Sequence, residues 1–135
     1  MRKACFRTAI VLGILCLAAA GCYIEIDPNN VTAADAWGDG TFSDTVEGTS
    51  KNGYYGAMYP ITVTLEIELG IIKSIEVAHR ETAEHGGKII SMAKPLIVKA
   101  NSFDVLDGMT GATFTRKGLK EAGKAALNKI PGVEL

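Results

Sequence analysis

Cysteine is scarce in this chain. Cys5, Cys16 and Cys22 are the only three in 135 residues. Whatever folds beyond residue 22 therefore has no internal disulfide and no thiol nucleophile. Histidine is rarer still, with His79 and His85 alone. Two histidines without a partnering cysteine and without His-x-x-x-His spacing make a weak metal site, so no metal is expected. No Ser-His-Asp arrangement is recognisable either. Charge of one sign is also lacking, with 14 Lys and Arg against 15 Asp and Glu. Nucleic-acid binding needs clustered cations, so that partner class is excluded as an expectation. Internal repeats and low-complexity segments are missing as well.

Long apolar runs are absent too. Ala9 to Ala20 covers 12 residues, interrupted only by Gly13, which is short for a bilayer span but right for the apolar part of an export signal. Arg2, Lys3 and Arg7 precede it as a positive region. Ala18-Ala19-Ala20-Gly21 then leads directly into Cys22. Small residues abutting a cysteine resemble a bacterial lipoprotein signal, although Ala19 stands where leucine is more usual. That resemblance implies cleavage after residue 21, lipid on the sulfur of Cys22, and a domain held on the extracytoplasmic face of a membrane. An ordinary secretory signal and a short N-terminal anchor helix remain as alternatives, and both also place the domain outside the cytoplasm. Removing residues 1–21 would take three cations and no acid, leaving a formal charge of −4.

Residues 22–36 have no clear period, and Asp27-Pro28-Asn29-Asn30 is turn chemistry. This stretch reads as a tether, with a short helical turn expected from Val31 to Ala36. The domain is expected over residues 37–135. Asp39-Gly40-Thr41-Phe42 reads as a turn feeding a strand, Trp37 and Phe42 as core or rim residues, and Lys51-Asn52-Gly53 as a further turn. Ile61, Val63, Leu65, Ile67 and Leu69 alternate with Thr62, Thr64, Glu66 and Glu68. Period two over nine residues predicts a strand with one face in the core and the two glutamates facing water. Gly70 breaks it, and Ile72, Ile75 and Val77 form a hairpin partner with a bulge near Lys73-Ser74.

Helical spacing follows from Lys88 to Ala100, but Pro95 interrupts it, which predicts a short helix to Ala93 and a second from Pro95. A last helix is expected from Thr115 to Lys129, with Thr115 as its N-cap. Leu119, Ala122, Ala126 and Ile130 form its apolar stripe, and Gly118, Ala122 and Gly123 allow close packing on the sheet. Lys117, Lys120, Lys124 and Lys129 read as a solvated face. Strands followed by helices predict an α+β domain: a small antiparallel sheet with helices packed on one side.

Between the two helical regions stands Asp107-Gly108-Met109-Thr110-Gly111-Ala112-Thr113. Gly108 and Gly111 let a backbone bend sharply and approach a ligand closely. Free amides at the start of the following helix suit a phosphate, with Arg116 and Lys117 adding positive charge. Asp107-x-x-Thr110-Gly111-Ala112-Thr113 resembles the acceptor motif of the FMN-binding domain family, whose members include flavin-carrying components of the sodium-translocating NADH:quinone oxidoreductase and of the related Rnf complex. Further matches are Asp39-Gly40-Thr41-Phe42 with Gly48, Pro60-Ile61-Thr62-Val63, and His79-Arg80-Glu81-Thr82. Ala83-Glu84-His85-Gly86-Gly87 departs from the Pro-Gly continuation usual there. The resemblance implies FMN as cofactor, esterified through its phosphate to Thr113 by a flavin transferase that uses FAD. Asp107, Thr110, Gly111 and Ala112 would shape the acceptor loop, and His79, Glu81 and Thr82 would lie at the flavin.

The resulting expectation is a membrane-tethered flavoprotein electron carrier with a redox partner protein or complex, rather than a self-standing enzyme. A non-covalent FMN-binding sensory or assembly module is the alternative. A lipoprotein with a plain glycine loop and no flavin is a third reading.

Overall fold

The computed structural model describes residues 35–135. The export signal, Cys22 and most of the tether lie outside the described residues. So does most of the helical turn expected from Val31; Asp35 and Ala36 themselves are not helical.

Three strands form one antiparallel sheet in the order β1 (Asp44–Ser50), β2 (Ile61–Glu68), β3 (Ile71–Ala78). β2 is central, and its alternation holds: Ile61, Val63, Leu65 and Ile67 are buried while Glu66 and Glu68 are exposed. Leu69 (φ 50°) and Gly70 (φ 72°) make the two-residue connection to β3. Two consecutive positive φ angles give a hairpin turn whose twist suits the strands. The register pairs Glu66 with Ser74 and Ile67 with Ile72, which leaves Lys73 as the extra residue of a bulge at the expected place.

Helices α1 (Lys88–Ala100) and α2 (Thr113–Leu127) lie on the inner face of the sheet, α1 against β3 and α2 against β1 and β2. The architecture is α+β, as the sequence predicts. α1 is a single helix, not the expected pair. Pro95 sits on its exposed side, where the carbonyl of Ser91 that loses its amide partner can reach water. Ile90 and Ala93 before the proline and Ile97 after it are all buried. This shared apolar stripe keeps the two segments in one helix. α2 begins two residues earlier than expected, at Thr113.

The core joins the inner faces of β2 and β3 to Ile90, Ala93 and Ile97 of α1, to Phe103 and Leu106, and to Leu119, Ala122, Ala126, Leu127 and Ile130 at the C-terminal end. Trp37 and Phe42 pack at its rim. Gly118 packs close to the start of the central strand, as expected, since a Cβ there would stand 2.8 Å from the amide nitrogen of Gly53 and 3.0 Å from Ile61; Gly123 faces Phe103 and not the sheet, since a Cβ there would stand 2.2 Å from that ring.

Asn101 closes the entry to the domain. It ends α1 in the left-handed region at φ 50° and is 3 % exposed. Its Oδ1 accepts the amide of Ile72 at 2.8 Å, and its Nδ2 donates to the carbonyl of Asp35 at 2.9 Å. Its carbonyl accepts Trp37 Nε1 at 3.0 Å. Asn101→Ala would leave the Ile72 amide without its acceptor and hold an alanine at positive φ. Stranded buried groups and left-handed strain together predict a loss of about 3 kcal/mol in urea unfolding, with an unchanged m-value.

Candidate functional site

Leu106 is buried and anchors a short 3-10 turn, Asp104–Gly108. Beyond it Thr110 and Gly111 rise into solvent. Gly111 (φ 85°) and Ala112 (φ 40°, ψ 53°) are both left-handed, and together they turn the chain abruptly into α2. Gly111 is needed for its φ, since a Cβ there would meet nothing within 4 Å. Gly108 has equally open space and no positive φ, so the backbone at this position does not require glycine's left-handed freedom.

Three side chains brace this loop. Arg116 Nε donates to the carbonyl of Gly111 at 2.7 Å, and Nη1 donates to that of Leu106 at 3.0 Å. The guanidinium of Arg116 thus braces the loop carbonyls, and it also lines one small pocket together with Thr113, so its positive charge stays beside that residue. Lys120 pairs with Asp107 at 2.6 Å and with Asp104 at 3.0 Å. It is half-buried rather than part of a fully solvated face. Its hydrogen bonds to Asp107 and then Asp104 raise its pKa, and its hydrogen bond to Asp104 lowers the pKa of that acid. Asp107 thus ties the loop to α2.

Thr115 is not the N-cap. It is the third residue of α2, 2 % exposed, and its hydroxyl donates to Glu81 Oε2 at 2.5 Å. Ala112 takes the cap position, and no side chain caps the helix. The first intrahelical bond is Arg116 N–H to the Ala112 carbonyl at 2.9 Å. The amides of Thr113, Phe114 and Thr115 therefore point forward from the helix end, where the dipole favours an anion.

A cleft of about 510 Å³ opens in front of that end, within the roughly 300–1,000 Å³ of small-molecule sites. Ala112, Thr113, Phe114 and Thr115 form one wall, and Glu81, Thr82, His85 and Gly86 another. Tyr54 and Tyr55 close the third side. The turn before these tyrosines is held to α2 by Glu121, which accepts hydrogen bonds from Asn52 Nδ2 and from Ser50 Oγ. Those bonds, Asn52's first, hold the Glu121 carboxyl below its ordinary pKa. The irregular helical turn Ala83–Gly87 replaces the expected loop and runs straight into α1.

Thr113 is exposed and lines this cleft. It also lines a second pocket of about 220 Å³ that contains Asp107, Lys117 and Lys120. One hydroxyl therefore stands between an aromatic-walled cleft and a cationic hollow. Thr110 and Gly111 open instead onto a third pocket, on the far side of Ala112. His79 is not in the cleft wall; its Nδ1 accepts the amide of Glu81 at 3.2 Å. Of the residues singled out in the sequence, Glu81, Thr82, Ala112 and Thr113 meet at one cleft, and Asp107, Thr110, Gly111 and His79 stand behind it.

The match to a family model described as FMN-binding domain covers residues 53–128, from the turn before Tyr54 to the end of α2. The chain belongs to the FMN-binding domain family. FMN is its cofactor. A search of curated proteins gave no match. The geometry fits the cofactor: the cleft has the volume and aromatic walls for a flat apolar ring, and the uncapped helix end with Lys117 beside it suits a phosphate. No group of acids, histidines or cysteines able to hold a metal ion occurs among the described residues.

Sequence reasoning overlooked the FMN-binding domain's aromatic walls. Tyr54 is 67 % and Phe114 64 % exposed. A signal existed, since two adjacent tyrosines follow the Asn52-Gly53 turn and Phe114 adjoins Thr113. Trp37 and Phe42, the aromatics that stand out in the sequence, are packing residues. His85, weighed only as a metal ligand, is part of the cleft wall.

Proposed function

We propose that this protein is a membrane-tethered, extracytoplasmic flavoprotein that carries FMN as a phosphoester on Thr113 and takes part in electron transfer. The observation that carries this reading is the place of Thr113, exposed at the first position of an uncapped helix, between the aromatic cleft and the cationic pocket. The free amides and Lys117 would hold the phosphate of an ester formed there, and Tyr54, Tyr55 and Phe114 would hold the ring.

Attachment needs a donor and a second protein. With FAD as donor, a flavin transferase would form a bond from the Thr113 oxygen to the phosphorus of the FMN half. The pyrophosphate bond would break, AMP would leave, and the hydroxyl proton would pass to a base on the transferase. The domain's own residues present and orient the hydroxyl. Arg116, Lys120 and Asp107 fix the loop, and Gly111-Ala112 aims the helix start. The bound flavin supplies the redox chemistry. Linkage through the phosphate leaves the ring accessible to a redox partner protein or complex.

Tethering is proposed through lipid on Cys22, on the ground of the small residues Ala18-Ala19-Ala20-Gly21 directly before it; no helix among the described residues is long and apolar enough to cross a membrane. The test is a sample co-expressed with a flavin transferase, then denatured and washed. Retained yellow fluorescence and an increased intact mass are expected. Flavin released by acid would favour the non-covalent sensory or assembly module, and no flavin at all would overturn both readings.

A further inference from the structure

One polar group in the cleft wall is not explained by attachment at Thr113. Glu81 is only 8 % exposed. Its side chain lies in a slot between two glycines: a Cβ at Gly53 would stand 2.7 Å from Oε1, and one at Gly86 would stand 2.8 Å from Oε2. Oε1 accepts the amide of Tyr54 at 3.1 Å, and Oε2 accepts the hydroxyl of Thr115 at 2.5 Å. None of the ion pairs among the described residues includes Glu81. A buried anion served only by uncharged donors is costly. Glutamine has nearly the same shape and would be cheaper to bury, so packing alone does not account for an acid here. Tyr54, Glu81 and Thr115 come from three separate segments, and all three line the cleft.

We propose that Glu81 is the positioning residue of this cleft: a fixed anion that ties the Tyr54 wall to the start of α2 and lowers the reduction potential of the flavin held between them. This rests on the reading that FMN occupies the cleft. Reduction at neutral pH brings more electrons than protons to the flavin, supplied by the external reductant. Negative charge therefore accumulates beside a carboxylate in a partly desolvated site, where Coulomb repulsion is weakly screened. The oxidised form is favoured, and the protein becomes a better electron donor.

The test uses the full chain loaded with FMN, in a dye-coupled redox titration with dithionite as reductant. Glu81→Gln keeps the shape and removes the charge. It is expected to shift the reduction equilibrium about tenfold toward the reduced form, which is about 30 mV for a two-electron couple. Thr115→Val cuts the tie to α2 and keeps the anion; it is expected to move the potential by less than a third as much. Thr115→Val should lower the thermal midpoint of the flavin-free chain, whereas Glu81→Gln, which removes a buried charge and keeps the shape, should leave it unchanged or raise it. Glu81→Asp draws the charge back by one methylene, shifts the potential the same way by less, and serves if the glutamine variant does not fold. An unmoved potential in Glu81→Gln, or equal shifts in Glu81→Gln and Thr115→Val, would overturn the assignment. Tyr54→Leu separates this from the cleft reading. A rise in flavin fluorescence in Tyr54→Leu without a potential shift in Glu81→Gln defeats Glu81 alone. No response to any of these variants removes FMN from the cleft as well.

Discussion

Thr113→Val, co-expressed with a flavin transferase, should yield a folded protein whose intact mass is that of the bare polypeptide. The substitution replaces one methyl-sized group on an exposed, β-branched side chain at the first position of α2. Such surface changes shift stability by about 0.5 kcal/mol or less, so loss of the adduct would not be loss of the fold. The effect should be all or none, because neither neighbouring hydroxyl can substitute. Thr110 opens onto a different pocket, with the left-handed Gly111 and Ala112 between it and the cleft. Thr115 is buried, and its hydroxyl is held by Glu81. Thr113→Ser keeps the oxygen and should keep the adduct. Peptide mapping of the wild type should place the flavin on the peptide that begins α2. An adduct of undiminished mass in Thr113→Val, or one mapped to Thr110, would contradict the assignment.

The two levels of structure are legible to different degrees. The strand at 61–68 can be read because a sheet with one wetted face imposes strict alternation, and the Gly70 turn and the Lys73 bulge come with it. The helix at 88–100 defeats a local rule about proline, because tertiary burial of Ile90, Ala93 and Ile97 decides there. The start of α2 is misplaced from sequence for a similar reason. Thr115 looks like a cap by residue type, but its hydroxyl is claimed by Glu81, 34 positions away in sequence. Long-range contacts of this kind leave no periodic trace. The Asp107–Thr113 loop stands out as a motif, whereas its bracing by Arg116 and Lys120 does not, because a cation in sequence does not say which carbonyl or acid it will meet. The aromatic walls show the same limit from the other side: Tyr54 and Phe114 become neighbours of one cleft only after the sheet brings residue 54 against the N-terminal end of α2.

That last juxtaposition depends on a glycine outside the segment matched to the family. Gly48 lies at the centre of β1, pointing inward beneath α2. A Cβ there would stand 2.1 Å from the carbonyl oxygen of Ala122 and 2.3 Å from the amide nitrogen of Ala126. Both are backbone atoms, so no side chain can rotate away. Either α2 lifts from the sheet or β1 detaches from β2. Gly48→Ala is therefore expected at or beyond the upper end of the roughly 1–3 kcal/mol that overpacking costs. It should also damage the site at a distance. α2 carries Thr113 at its first residue and holds the Tyr54 turn through Glu121, so lifting it separates two walls of the cleft. Urea unfolding of the flavin-free chain should show a lower midpoint, and flavin incorporation should fall with it. Gly108→Ala is the matched control. Its Cβ would meet nothing within 4 Å and its φ is not positive, so stability should be unchanged or rise by about 0.4–1 kcal/mol through the unfolded chain. Equal midpoints for the two variants would mean that α2 does not ride directly on the β1 backbone, and the placement of Thr113 over the cleft would have to be explained in another way.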